Sequence, residues 1–303
     1  MSKYRNLGLF VSLAAMWGVS FMAIKTGLKF FPPVIYAAIR YYIAGLVILV
    51  YSYFVTDKWL PSGKEEWVMV LISGALMFAG YNAFLYVGEL STTSAVAAVI
   101  VSLNPLFTTG FARSLLPSER LSFLGLFGVG LGFLGIIVIS RPDPANLLSS
   151  DVVGKFLVFG AALSFALGSV LIRRVDANLP RETMISWAMI TGAIMMHLIS
   201  LGRLESLSSI VWTKDAIIPV FYLSIISGVI GFMIYFDLLE RLGPVEINLV
   251  SYVSPFFAAI AGWIFLNESV DSFTIIGFLI IFLGFYLIKR EQFKEEFSKI
   301  KEF

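Results

Sequence analysis

The chain has 303 residues, 58% of them hydrophobic and only 14% charged, with a mean hydropathy of +0.89, a composition that excludes a soluble globular protein. A net charge of +2 with no basic tract outside the predicted helix ends gives no footing for nucleic acid as a partner. With no cysteine and one histidine, disulfides, thiolate catalysis, zinc–sulfur sites and His-rich metal sites are ruled out, and no cofactor is expected.

Apolar runs bounded by charge and Pro/Gly punctuation predict about ten membrane spans, each helical because a backbone in lipid must satisfy its own hydrogen bonds. In chain order they cover 7–28, 34–55, 67–90, 92–115 and 121–140, then 154–172, 183–202, 216–239, 245–266 and 273–288. The runs are continuously apolar rather than alternating, which argues against a β-barrel. Lys3 and Arg5 ahead of Leu7 have the look of a signal peptide, but the run continues to Ile24 and nine more follow, so it reads as a retained first span. The tail after Lys289 places Phe293, Phe297 and Ile300 at helical spacing and reads either as a short surface helix or as a solvated end.

With ten spans both termini share one face. That face collects fifteen of the 22 lysines and arginines, the other face six, and Arg40 lies within a span. The positive-inside rule then expects a multi-pass protein of the cell (cytoplasmic) membrane with both termini cytoplasmic.

The chain is also written twice. Pro105 and Pro255 are 150 positions apart in similar settings. Ser20 and Ser169, Lys25 and Arg174, Glu119 and Glu268, Gly128 and Gly277, Gly135 and Gly284, and Arg141 and Arg290 are each 149 apart. The expected organisation is a five-helix repeat over 1–141, a second over 150–290, and a cytoplasmic tail over 291–303. Five spans return the chain to the opposite side, so the second repeat is inverted, the architecture of alternating-access carriers.

These residues resemble a family. Trp17-Gly18-x-Ser20-Phe21, Arg40 after Pro32-Pro33, and an apolar span carrying Pro105 and closing on Ser118-Glu119-Arg120 are similar to the EamA-like branch of the drug/metabolite transporter superfamily. Gly243-Pro244, Pro255 and Leu266-Asn267-Glu268 repeat the pattern, whereas Trp17-Gly18 becomes Ala166-Leu167, so the halves are not equivalent there. The resemblance covers essentially the whole chain and implies an all-α, ten-helix carrier, commonly an exporter of amino acids or other small metabolites.

Polar residues at membrane depth are the candidates for chemistry, each with a plainer structural reading beside it. Trp17, Ser20, Tyr81, Asn82, Ser102, Asn104, Tyr235, Asn248, Ser251 and Tyr252 are candidates for a substrate cavity, or else tie helices together. Trp187 is a possible further wall residue, or else an interface anchor. Arg40 is either a substrate anchor or gate, or a cation snorkelling to the surface. Lys25 with Glu89 at one mouth, and Arg174 with Glu240 and Asp237 at the other, have the inverted arrangement that two gates need, or else mark span ends. Asp237 is the candidate for proton coupling. Pro105 and Pro255 remove backbone hydrogen bonds and are candidate hinges.

Gly125, Gly128, Gly132, Gly135, Gly277 and Gly284 read as close-packing sites. Gly128 and Gly132 suit either span five within a monomer or a dimer face, so monomer and homodimer both stay open. His197 reads as interfacial, and Glu246 as the acidic first turn of a helix. The expected partners are a small-molecule substrate and the lipid bilayer. Nucleotide sugars, vitamins, polyamines and drugs are alternative substrates. A membrane-embedded enzyme lacks converging nucleophile, base or metal ligands; a channel lacks recurring charge rings; and an ATPase lacks a Walker loop.

Overall fold

The computed structural model describes residues 2–115, 123–141, 148–242, 247 and 249–301. Among these, ten long helices follow one another: α1 Ser2–Gly27, α2 Pro33–Val55, α3 Lys64–Gly88, α4 Ser94–Leu115, α5 Phe123–Ser140, α6 Ser150–Arg174, α7 Arg181–Gly202, α8 Lys214–Leu242, α9 Val250–Leu266 and α10 Ser272–Lys301. Seven are long and apolar enough to cross a membrane, and the apolar parts of α5, α9 and α10 are shorter. The backbone of α10 runs on without a break through the predicted tail as far as Lys301. The face carrying both chain ends is called terminal below, and the opposite face distal.

Local chemistry explains where several helices begin. The Thr93 and Thr213 hydroxyls accept the N–H groups of Val96 and Ala216 in the first turns of α4 and α8. Glu66 reaches back from the first turn of α3 to the Ser62 N–H at 2.9 Å. Helix α2 starts on Pro33, whose fixed φ suits a first turn, and its open N–H groups at Val34 and Ile35 are both met at 3.0 Å by the Glu205 carboxylate. Glu205 lies in the distal connection between α7 and α8.

The packing is twofold. Helix α1 lies against α9 as α6 lies against α4; α3 packs on α6 and α7 as α8 packs on α1 and α2; α2 pairs with α7, and α5 with α10. Exchanging the two sets of five helices leaves this pattern unchanged, as an inverted repeat requires. Gly128 sits on Gly284 and Gly135 on Gly277, so these close contacts between α5 and α10 join residues from opposite ends of the repeat register. The buried core runs through Tyr36, Tyr86, Ile100, Leu103, Leu106 and Met189. Large apolar side chains such as Phe54, Leu198, Ile218, Trp263 and Phe265 face outward, the surface a bilayer solvates.

Two departures from simple α-helix occur at related places. Ser73–Gly80 in α3 and Tyr222–Ile230 in α8 are π-helical, and the two stretches begin 149 positions apart. Each widened turn offers a main-chain carbonyl to a neighbouring helix. Ser164 on α6 donates to Leu76 O at 2.7 Å, and Trp17 on α1 donates to Ser227 O at 3.4 Å. Helix α4, the most enclosed of the seven, is interrupted at Ser102 and Leu103, just before Pro105. Pro105 has no N–H for the carbonyl of Val101, and the chain turns there before resuming. Pro255 has the same place in α9 but lies inside continuous helix, so the two candidate hinges differ in structure.

Candidate substrate site

Arg40 stands on α2, less than two turns past its capped start, and is buried. The snorkelling alternative does not apply, because the guanidinium stays inside the bundle. Its Nη1 donates to the Tyr86 hydroxyl of α3 at 2.9 Å, and its Cζ lies 4.4 Å from the centre of the Tyr41 ring. Nε has no partner, and among the described residues no carboxylate lies within ion-pair distance of the guanidinium. Tyr36 completes the enclosure, with its ring 5.3 Å from that of Tyr86 and its hydroxyl donating to Ala23 O. A cation so placed, walled by phenol rings and lacking an anion, suits an anionic group brought by a solute.

Asn82 on α3 is also buried. Its Nδ2 donates to Phe78 O at 2.8 Å, and its Oδ1 is left without a partner. Tyr81 turns toward α6, where its ring meets Phe165 at 5.5 Å.

A second group forms where α1 meets α8. The hydroxyls of Ser20 and Ser227 are hydrogen-bonded at 2.7 Å, and the Trp17 ring lies 5.4 Å from Tyr235 and 5.7 Å from Phe232. Rings connect the two groups: Tyr41 lies 5.2 Å from Phe78, and Phe78 lies 6.3 Å from Phe232. Arg40, Asn82, Trp17, Ser20 and Tyr235 are thus linked through one chain of ring and hydrogen-bond contacts inside the bundle.

The other candidates lie elsewhere. Ser102 and Asn104 flank the break in α4, where Ser102 donates to Val99 O and the Asn104 Oδ1 is buried without a partner. Tyr252 faces α10, its ring 4.5 Å from Phe285. Ser251 is half-buried on α9, and Asn248 lies outside the described residues, as do Ser118, Glu119, Arg120, Gly243, Pro244 and Glu246. Trp187 donates to Trp59 O at 2.9 Å and meets Trp67, which places it at the terminal end as an anchor rather than among these contacts.

The gate residues pair differently from expectation. Lys25 reaches Glu89 through main-chain carbonyls, donating at 2.6 Å to Glu89 O and Thr92 O and not to the carboxylate. Glu240 pairs with Arg181 at 2.9 Å rather than with Arg174, because the start of α7 comes closer than the exposed end of α6. Asp237 is not an isolated buried acid; Arg241, one turn along α8, holds it at 2.6 Å in a half-exposed pair. Among the described residues, the carboxyl group buried without a partner is that of Glu89.

A pocket of about 600 Å³ opens at the distal face, lined by Lys25, Lys29, Arg141, Lys155, Asp151 and Glu268 among others. Sequence reading missed Tyr36, Tyr86, Phe78, Ser227 and Phe232. Tyr36 stands four residues before Arg40, so helical spacing could have placed it on the same face, whereas Tyr86 meets Arg40 from another helix and no spacing in the sequence signals that pairing.

An inverted repeat of apolar helices, with a buried cluster of polar and aromatic side chains between the two halves, is the architecture of an inverted-repeat membrane transporter. The sequence profile of the EamA-like transporter family matches residues 6–141 and again 152–290. The chain belongs to that family, within the drug/metabolite transporter superfamily. It is 26% identical over 277 residues to the uncharacterized transporter YoaV of Bacillus subtilis, covering 91% of this chain and 94% of the relative. It is 27% identical over 267 residues to the uncharacterized inner membrane transporter YedA of Escherichia coli K12, covering 86% and 84% respectively. A solved crystal structure superposes with a TM-score of 0.63 over 94% of this chain and 97% of its own, at 21% identity, and so shares the fold.

Proposed function

We propose that this chain exports amino acids or closely related metabolites from the cytoplasm by alternating access, with Arg40 anchoring the solute's carboxylate. The observation that carries the reading is a buried guanidinium with no carboxylate in ion-pair range and an unused Nε. Asn82 Oδ1, an unused buried acceptor on the adjoining helix, suits an ammonium group. The aromatic side chains from Tyr41 to Trp17 suit the apolar part of the solute. In this reading the repeats 1–141 and 150–290 rock against each other, and both termini with the tail 291–303 lie on the cytoplasmic side of the cell membrane.

The test is counterflow of a radiolabelled amino-acid panel into proteoliposomes. Accumulation that requires preloaded unlabelled solute, and that fails in Arg40→Gln and Asn82→Ala proteins of unchanged monodispersity, supports the reading. No counterflow of any amino acid by the wild type sinks the substrate class, and nucleotide-sugar, vitamin and polyamine panels then decide among the alternatives.

A further inference from the structure

At the distal end of the bundle a carboxyl group is sealed in without a partner. Glu89 follows the last residue of α3, is fully buried, and has no hydrogen bond to either carboxyl oxygen. Cations stand close, yet they are engaged elsewhere. The Lys25 ammonium, from α1, sits on the peptide carbonyls of Glu89 and Thr92, and Arg40, from α2, is bonded to Tyr86. A buried carboxylate without a partner is costly by several kcal/mol. An ammonium beside such a charge would move onto it. A neutral carboxyl is the form that leaves Lys25 on the carbonyls.

The surroundings tie this group to the distal mouth. The turn that Lys25 holds joins α3 to α4, and the first N–H of α4, that of Ser94, donates at 2.9 Å to Glu268 beyond the end of α9. Lys25, Thr92 and Glu268 all line the 600 Å³ distal pocket, and Lys25 is bonded to the Glu89 main chain. The other titratable groups facing this corner are Tyr36 of α2, Tyr81 and Tyr86 of α3, and Glu268. The Asp151–Lys155 pair of α6 and the Arg141–Asp271 pair between α5 and α10 stand at the pocket wall.

We propose that Glu89 is the proton-binding site that couples a proton from the distal side to the movement of the carrier. The proposal rests on the carrier reading above. With the proton bound, Lys25 staples α1 to the α3–α4 turn and the distal mouth is closed. When the proton passes from the carboxyl oxygen to water, the carboxylate draws the ammonium off the two carbonyls, and the start of α4 is released from α1. Only O–H bonds form and break, between Glu89 and water.

The chain has no cysteine, so a single reporter thiol reads the mouth directly. Val99, buried on α4 one turn deeper than the pocket-lining Val96, becomes Val99→Cys. Its maleimide labelling in the full-length purified protein is normalised to Leu148→Cys, which is 88% exposed. Normalised labelling should rise with pH, by up to about tenfold per pH unit for one titrating group. It should be flat at the acid-side rate when Glu89→Gln is added, and independent of pH in Lys25→Gln. Glu89→Asp, which keeps an acid, should retain a dependence and so separate the role from a folding defect, and His197→Gln should leave the profile unchanged. A flat profile in otherwise unsubstituted protein, or an unaltered one in Glu89→Gln, overturns the proposal. No solute enters this assay, so a failed counterflow experiment removes the substrate reading and leaves this one to be judged separately.

Discussion

Gly135 and Gly277 meet backbone to backbone: a β-carbon added to either would lie 2.8 Å from the other's carbonyl oxygen. The contact joins α5 of one repeat to α10 of the other, and further along the same pair a β-carbon added to Gly284 would lie 2.6 Å from the Gly128 carbonyl oxygen. The sequence register pairs these glycines as 128 with 277 and 135 with 284. A twofold axis between the helices exchanges the two contacts, which is how an inverted repeat brings its own equivalent residues into crossed pairs.

This closeness gives the first expectation. Gly135→Ala forces a methyl group against a fixed carbonyl and against Ile281, an overpacking that costs about 1–3 kcal/mol. Thermal unfolding of the detergent-solubilised protein should show a lowered midpoint. Gly130→Ala, on the same helix with nothing near its missing β-carbon, should not lower it.

Glu205 supports α2 from a remote loop. Its Oε2 takes the N–H groups of both Val34 and Ile35, at the positive end of the helix that carries Arg40. Loss of this cap in Glu205→Ala should cost about 0.5–2 kcal/mol. Hydrogen exchange at the first turn of α2 should quicken in Glu205→Ala, whereas that at the start of α8, capped by its own Thr213, should not change.

Tyr86→Phe removes the hydrogen bond that the Tyr86 hydroxyl accepts from Arg40 Nη1, leaving a further buried donor unmet. A charge-assisted bond of this kind is worth about 1.5–3 kcal/mol. The variant should unfold at a lower temperature, and the half-saturating concentration of any carboxylate solute found by counterflow should change more than in Tyr81→Phe, whose ring faces Phe165.

Asp271 gives an acid-side expectation. Thr274 donates to its Oδ1 from the hydroxyl at 2.6 Å and from the N–H at 2.7 Å, capping α10, and these bonds hold the carboxyl below the usual aspartate range. The folded value lies below the unfolded one. The contribution to stability is therefore complete above the unfolded value of about 4 and is lost as pH falls below it through the folded one. Melting temperatures taken from pH 7 downward should fall less steeply below about pH 4 in Asp271→Asn than in wild type. An equal acid-side slope in the two proteins would refute this role.

Much of the fold was legible because it depends on local quantities. A span shows itself by apolar length, whatever its neighbours, so the bounds of α2 and α7 were readable to within two residues. Arg40 stood out because a charge in an apolar run is visible without any structure, the register of Gly128 and Gly135 against Gly277 and Gly284 carried the repeat, and the odd number of spans in each copy carried the inversion. The π-helical stretches were not legible. They differ from α-helix by which carbonyl each N–H takes, and the neighbours that donate to the released carbonyls, Ser164 and Trp17, lie on other helices.

The sequence by itself determined that this chain is an inverted pair of five-helix units in a membrane, because bilayer thickness and repeat register are written in residue order. Tertiary structure decided the partners. Lys25 took main-chain carbonyls on the α3–α4 turn, Glu240 took Arg181, Asp237 took Arg241, and Glu89 was left alone. A carbonyl looks the same at every residue, and a charge in a sequence does not name the element that will pack beside it. Which buried group is paired and which is not emerges only when ten helices are placed together.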